Sequence, residues 1–364
     1  MAPLVPPSRD APALTDERRA GPPAFAAIDL GTNNCRLLVG APAGDGFRVL
    51  ESFSRTVRLG EGLQETGRLG EAAMERAIAA LRGCAQRLAR RPVRALRAVA
   101  TEACRQAANG AEFLARARAE TGLPLEAISS REEAQLALES CTPLLRREGR
   151  RALLFDIGGG STELAWVRLA GDDGRGAAAP HLIGTISLPL GVVTLAERYP
   201  EASVTSAGFA ALVDEVERQL RPFEAVHRIG QEMRQGGVVL LGTSGTATTL
   251  AGIALDLPRY SRNAVDGAVL NGAAAGAALE LLCGLGRAGL EQHPCVGPER
   301  AEFVLPGCAV FAAIHRLWPA PHVVVADRGL REGMLLRLMR AARRPGRLHS
   351  TGPHPALARL PVPA

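Results

Sequence analysis

The chain has 364 residues, 47% hydrophobic and 22% charged, a globular composition long enough for two domains. All 43 basic residues are arginine, which excludes chemistry that needs a lysine: a Walker phosphate loop, a pyridoxal Schiff base or a protein-kinase ion pair. The net charge of +6 resides in the arginines from Arg337 onward, where there is no acid, and aromatic residues are only 4%, so a basic and aromatic nucleic-acid-binding face is not expected.

Residues 1–23 are proline-rich and of mixed charge without a continuous apolar region, and they predict a loose leader, not a signal peptide. The first half, residues 24–150, opens on an apolar run at 25–30 that is expected as a buried strand, with another at 96–100. Alanine-rich helices are expected at 71–90, 111–121 and 132–146. The second half, residues 151–342, predicts strands at 152–156, 238–241 and 323–325, and helices at 207–227 and 267–283. Alternating strands and helices mean an α/β architecture. Residues 238–255 are uncharged and approach membrane-spanning length, but Gly242, Thr243, Ser244, Gly245 and Thr246 in their middle predict a strand, a turn and a helix, and no membrane. From residue 343 an arginine- and proline-rich segment has too few apolar residues to pack and predicts a disordered tail. The seven cysteines include no CxxC pair and no metal-ligand spacing, which predicts reduced thiols in a cytoplasmic protein, Cys35 among them as a small buried thiol.

An internal repeat carries the most information. Residues 28–37 (IDLGTNNCRL) read like residues 155–164 (FDIGGGSTEL): an apolar strand ending in Asp29 or Asp156, a glycine turn, then a second apolar strand. One such unit in each half predicts two related domains facing each other, joined near residues 148–151. Glycine turns at strand ends leave backbone N–H groups unshielded, so they can converge on an anion. Gly158, Gly159, Gly160 and Ser161 form an especially open turn, and residues 242–246 add a third small-residue turn at a helix start, where the macrodipole also favours an anion. Each alone could be an ordinary tight turn; three in one chain point to polyphosphate binding.

Asp29 and Asp156, at the mouths of these turns, could cap them or hold a divalent ion that neutralises phosphate oxygens, and Glu163 could share that ion. With no histidine cluster to favour a transition metal, magnesium is the expected cofactor. Ser129 and Ser130 predict a helix N-cap followed by Glu132 and Glu133, which dipole complementation alone would explain. Arg105, after the strand at 96–100, reads either as a solvated helix-start arginine or as a phosphate clamp.

Together the segments AAIDLGTNNCRLLV, ATEACRQAANGAEFL, ISSREEAQLAL, LLFDIGGGSTELAW, LLGTSGTATTLAGI, PERAEFVLPGCAVF and ADRGLREGML resemble the Ppx/GppA phosphatases, the exopolyphosphatase and guanosine pentaphosphatase family, in that family's order. The resemblance implies an actin-like, sugar-kinase-like fold with two ribonuclease-H-like domains around a phosphate cleft. It implies that Glu133 is the catalytic base, that Asp156 and Glu163 are the magnesium-associated carboxylates, and that Arg105 clamps phosphate. Asp29, Gly31, Thr32 and Asn33 match its first phosphate loop; Gly158, Gly159, Gly160 and Ser161 the second; Gly242, Ser244 and Gly245 the third. The implied substrate is inorganic polyphosphate or guanosine pentaphosphate, and a homodimer is among the assemblies implied by longer relatives. Two other readings of the loops are an ATP-dependent small-molecule kinase of the same fold and a phosphate-ligand sensor without turnover.

Overall fold

The computed structural model describes residues 23–145, 149–169, 180–200 and 205–343. The predicted leader (apart from Pro23) and the predicted tail beyond Arg343 lie outside the described residues.

Two sheets dominate. The first comprises β1 (Phe25–Leu30), β2 (Asn34–Ala43), β3 (Gly46–Thr56), β4 (Ala95–Ala100) and β5 (Leu125–Ala127), in spatial order β3-β2-β1-β4-β5. The second comprises β6 (Arg151–Ile157), β7 (Thr162–Arg168), β8 (His181–Leu188), β9 (Val238–Thr243), β10 (Val269–Asn271) and β11 (His322–Ala326), in order β10-β11-β9-β6-β7-β8. Without its edge strand β10, the second sheet repeats the first strand for strand. In each, the first three strands are antiparallel neighbours, and the fourth and fifth run parallel to the first. The repeat legible in two ten-residue hairpins is therefore a duplication of whole ribonuclease-H-like units, as the resemblance implies.

The strands are apolar on both faces because both faces are covered. Leu153, Phe155 and Ile157 of β6 point into one cluster with Leu164, Trp166 and Leu240. Ala152 and Leu154, one residue out of phase, pack on the opposite face with Ala165, Val167 and Leu241. That is the period-two alternation of a strand buried on both sides. The helix Ser130–Cys141 is wedged between the two sheets: Ala134, Ala137 and Leu138 face the second sheet's cluster. Its Leu136 instead joins Phe25, Ala27, Leu38 and Val99 of the first sheet.

The sequence assigns residues 330–342 to the second half; the helix Leu330–Ala342 instead covers the first sheet. Leu330, Met334, Leu335 and Met339 pack on that same first-sheet cluster, each contributing about 1.5–3 kcal/mol of burial. It crosses the wedge helix so closely that a Cβ on Gly333 would lie 2.1 Å from the Leu136 carbonyl oxygen. The chain thus returns to the first lobe after completing the second.

Three predicted elements shift. The helix expected at 132–146 ends at Cys141, because Pro143 opens a 3₁₀ turn at Thr142–Leu144 and cannot continue an α-helix. The helix expected at 267–283 starts only at Gly272, where the Asn271 side chain accepts a bond from the Ala274 N–H at 2.7 Å; the residues before it form β10. Residues 238–255 form the predicted strand and helix, but the turn expected at 242–246 is reduced to the junction where β9, ending at Thr243, passes directly into the helix Ser244–Ala254. Among the described residues no single helix is long and apolar enough to cross a membrane.

Candidate active site

The hairpins β1–β2 and β6–β7 close in the same way: the Gly31 N–H donates to the Asn34 carbonyl and the Gly158 N–H to the Ser161 carbonyl, each at 2.9 Å. Their registers also match, which pairs Asp29 with Arg36 and Asp156 with Glu163. The two tips touch. A Cβ on Gly160 would lie 2.3 Å from Thr32 Oγ1, and one on Gly159 would lie 3.2 Å from Asn33 Cβ. The glycines of the second turn are needed in part because the first turn's side chains occupy their space.

A cleft opens where the tips meet. Its walls include Asp29, Gly31, Thr32, Asn33, Glu133, Asp156, the whole second turn (Gly158, Gly159, Gly160, Ser161), Glu163, Ser244 and Gly245. Residues from both lobes, far apart in sequence, are thereby brought to one place. The third turn enters through the start of the helix Ser244–Ala254, whose first N–H groups have no intrahelical partner. Ser244 adopts φ +71°, a left-handed conformation costly for a residue with a side chain, and its hydroxyl donates to the Ile157 carbonyl at 2.7 Å.

Two sequence-selected residues stand elsewhere. Gly242 is inside β9 and does not line the cleft; a Cβ there would lie 2.4 Å from the Phe155 ring, so it is a packing glycine. Arg105 also stands outside the lining, its guanidinium taken up by protein groups in place of the expected clamp. It donates to Glu133 Oε2 and to the Ile128 carbonyl, each at 2.9 Å, and to Glu102 at 3.0 Å. Arg105 thus holds one Glu133 oxygen in place.

The neighbouring acids separate cleanly. Glu132 turns away to Arg97 at 2.7 Å and to Arg337 at 3.4 Å, whereas Glu133 faces the cleft. Ser129 caps the helix, its hydroxyl accepting from the Glu132 N–H at 3.2 Å. Burial and the nearby Glu163 charge hold the Glu133 carboxyl well above the ordinary range, with Arg105 opposing. Burial, then Asp156, push Glu163 up to about 7, although Ser161 and Ser187 both donate to its Oε1, the latter at 2.9 Å. Burial, with some help from Asp29, pushes Asp156 up to about 6. Asp29 is raised by burial too, with Arg36 and Arg331 pulling the other way. Desolvated carboxylates that raise one another in a cleft mark a functional site on physical grounds.

A model of the Ppx/GppA phosphatase family matches residues 39–342. The chain belongs to this family. Its membership makes it a phosphatase, and the family's substrates are phosphate polymers or nucleotide phosphates. Among solved structures, the Ppx/GppA family member of Aquifex aeolicus is 27% identical with a TM-score of 0.72, over 88% of this chain and 99% of that one. An exopolyphosphatase-like protein is 29% identical with a TM-score of 0.77, over 88% and 99%. An exopolyphosphatase from Cytophaga hutchinsonii, 22% identical over 87% and 98%, shares the fold with a TM-score of 0.76.

Sequence reasoning missed several members of this phosphatase's cleft. Thr101 lines it, as do Arg36, Arg300, Asp327, Arg328, Arg331 and Glu332. Arg328 is already paired with Asp266, at 3.0 and 3.1 Å from its Nε. Ser187 reaches Glu163 because β8 pairs with β7 in a register that sets the two residues opposite each other. Arg36 was legible as the partner of Asp29 once the hairpin was recognised. Residues 300 and 327–332 lie in two of the segments that carry the resemblance, but no local pattern gave them a role in the site; the fold's return to the cleft brings them there.

Proposed function

We propose that the protein is a magnesium-dependent exopolyphosphatase or guanosine pentaphosphate phosphohydrolase that releases terminal orthophosphate by water attack. The observation that carries this reading is Glu133: a desolvated carboxylate facing the cleft between two glycine hairpins, with one oxygen fixed by Arg105. A base works best when its pKa approaches the operating pH, and the burial that raises Glu133 moves it that way.

In this reading the backbone N–H groups of the hairpin turns and of the Ser244–Ala254 helix start orient the terminal phosphoryl group. Glu133 takes the proton of a water whose oxygen attacks the terminal phosphorus, while the bond from that phosphorus to the bridging oxygen breaks. The electron pair departs with the shortened chain, and orthophosphate is released. Stabilisation of charge by preorganised groups supplies most of the acceleration in such transfers.

Among the described residues no group of three or more His, Cys, Asp or Glu side chains is arranged to hold a metal ion. That suits magnesium better than a caged ion, because Mg²⁺ is commonly bound through one or two carboxylates together with substrate phosphates and water. Asp156 and Glu163 fit as those carboxylates: they are buried, directly opposite in register and charge-repelled. When bound, magnesium would offset phosphate charge there.

The test is orthophosphate release measured side by side on polyphosphates of several lengths, guanosine pentaphosphate and ATP, with and without magnesium. Release from polyphosphate or guanosine pentaphosphate without any acceptor supports hydrolysis. Transfer only to an added acceptor would indicate a kinase, and binding without turnover a sensor. Cyclic trimetaphosphate, which has no chain end, should resist hydrolysis while linear tripolyphosphate is cut.

A further inference from the structure

The segment at residues 57–62 links the catalytic turns to both lobes at once. On one side it is fastened to the first glycine turn. The Val57 and Arg58 N–H groups donate to the Asn33 carbonyl at 2.8 and 3.0 Å, and the Gly60 N–H donates to the Thr32 carbonyl at 3.0 Å. A Cβ on Gly60 would lie 2.3 Å from Thr32 Cγ2, so the fit is close.

On its other side the segment reaches the second lobe. Arg58 Nη2 lies 3.5 Å from Glu302 Oε2, and the Arg58 guanidinium sits 5.9 Å from the centre of the Phe303 ring. The Gly62 N–H donates to Glu197 Oε1 at 3.2 Å. These contacts fall on elements that brace the other two turns. Glu197 belongs to the helix Val192–Arg198, whose leading N–H groups donate to the Gly158 and Gly159 carbonyls at 2.9 and 2.8 Å. Phe303 lines the cleft and immediately precedes the helix Val304–Leu317, whose Gly307 packs so tightly on Thr246 that a Cβ would lie 2.2 Å from Oγ1.

Arg58 itself adopts φ +47°, the left-handed region that disfavours a residue with a side chain. Such conformations persist where surrounding structure imposes them, often at sites with a mechanical or functional role. Acids of both lobes also act on one another at this junction. Glu197 is raised by burial and by the charges of Glu61, Glu302 and Glu65. An isolated exposed ion pair contributes little, but here the guanidinium also contacts the Phe303 ring, and its own backbone is fastened to the first glycine turn.

We propose that Arg58 is a positioning residue: by joining the segment fastened to the first glycine turn to Glu302 and Phe303 of the opposite lobe, it holds the two lobes at the spacing that lets their phosphate turns act together. It touches no reacting atom and acts through Thr32 and Asn33. The kinetic part of this inference rests on the function proposed above; the lobe spacing does not.

The test is a charge exchange. Full-length Arg58→Glu, Glu302→Arg and the double variant are compared with the parent by small-angle X-ray scattering at low salt without ligand, and by kinetics on tripolyphosphate with magnesium. Each single variant should scatter as a more open particle and raise KM, with kcat changed less, because substrate must first restore the closed spacing. A KM increase of about fivefold or more is the scale of ordinary intersite coupling. The double variant should recover both compactness and KM. The milder Arg58→Gln should show the same opening and KM rise, and it serves if a reversed charge unfolds the protein. Unchanged scattering and KM in the single variants, or a double variant that recovers neither, would overturn the proposal. If tripolyphosphate is not a substrate, the scattering alone decides the spacing, so failure of the proposed reaction is distinguishable from failure of the clasp.

Discussion

The two glycine hairpins share a backbone and differ in what they carry. Both turns close with the same 2.9 Å bond, and both place an aspartate at the same register position. Across from that aspartate the first hairpin has Arg36 and the second has Glu163. The first turn presents the side chains Thr32 and Asn33 where the second presents Gly159 and Gly160, and those side chains fill the space the glycines leave. A duplicated scaffold has thus become complementary: one copy is charge-balanced and bulky, the other is doubly acidic and hollow. The acidic copy is the one that lies beside Glu133.

The largest expected effect removes the group that faces the acidic hairpin. Glu133→Gln should lower turnover by about two to four orders of magnitude while leaving the thermal midpoint nearly unchanged. Glu132→Gln, which loses only its contacts to Arg97 and Arg337, should leave turnover within a few-fold of the parent. The reverse ranking in steady-state rates would reassign the base.

The next effect separates the two aspartates. Asp156→Asn should raise the magnesium concentration for half-maximal rate and lower the maximum, because Asp156 shares its site with Glu163. Asp29→Asn should shift the magnesium requirement less, since Arg36 stands opposite it. Equal shifts in magnesium titrations of the two variants would erase the distinction drawn between the hairpins.

Packing should be asymmetric as well. Gly160→Ala forces a methyl against Thr32 and should cost about 1–3 kcal/mol, the range for overpacking. Gly31→Ala meets nothing closer than the Asn34 carbonyl at 3.5 Å and should stay within about 0.5 kcal/mol of the parent, as an unstrained substitution does. Chemical denaturation of both variants measures this difference directly.

The smallest effect lies beside the first hairpin. Burial alone would raise Glu332, but Arg331 and Arg262 hold its carboxyl below the ordinary value. A depressed carboxyl adds stability above its unfolded pKa, and that stability is lost as pH falls through the lower folded pKa. Glu332→Gln should therefore flatten the loss of stability below about pH 4.5, the unfolded carboxylate range. Denaturation midpoints of parent and variant across that interval, if parallel, would contradict the role of this ion pair.

Much of the site was legible because it is local. The hairpin residues around Asp29 and Asp156 announce themselves through glycine, and a turn needs only neighbours in sequence to form. Glu133 was legible only through the resemblance; the N-cap pattern by itself explains two acids equally well, and packing against Arg105 and Glu163 separates them. Arg105 and Gly242 show the opposite error. A motif position does not say which way a side chain turns, and Glu102 and Glu133 claim the guanidinium while the Phe155 ring claims the space beside Gly242.

The amino-acid sequence by itself determined the α/β class, the duplication, the three small-residue turns and the acids that flank them. Each follows from short-range rules: strand periodicity, the open backbone of glycine and the helix start. Tertiary structure alone decided that the helix Leu330–Ala342 returns to the first sheet, that Thr32 fits against Gly160, that Ser187 reaches Glu163, and that Arg58 meets Glu302. Those contacts join residues far apart along the chain. They depend on how two buried sheets and the wedge between them close over apolar surface, which no local pattern specifies.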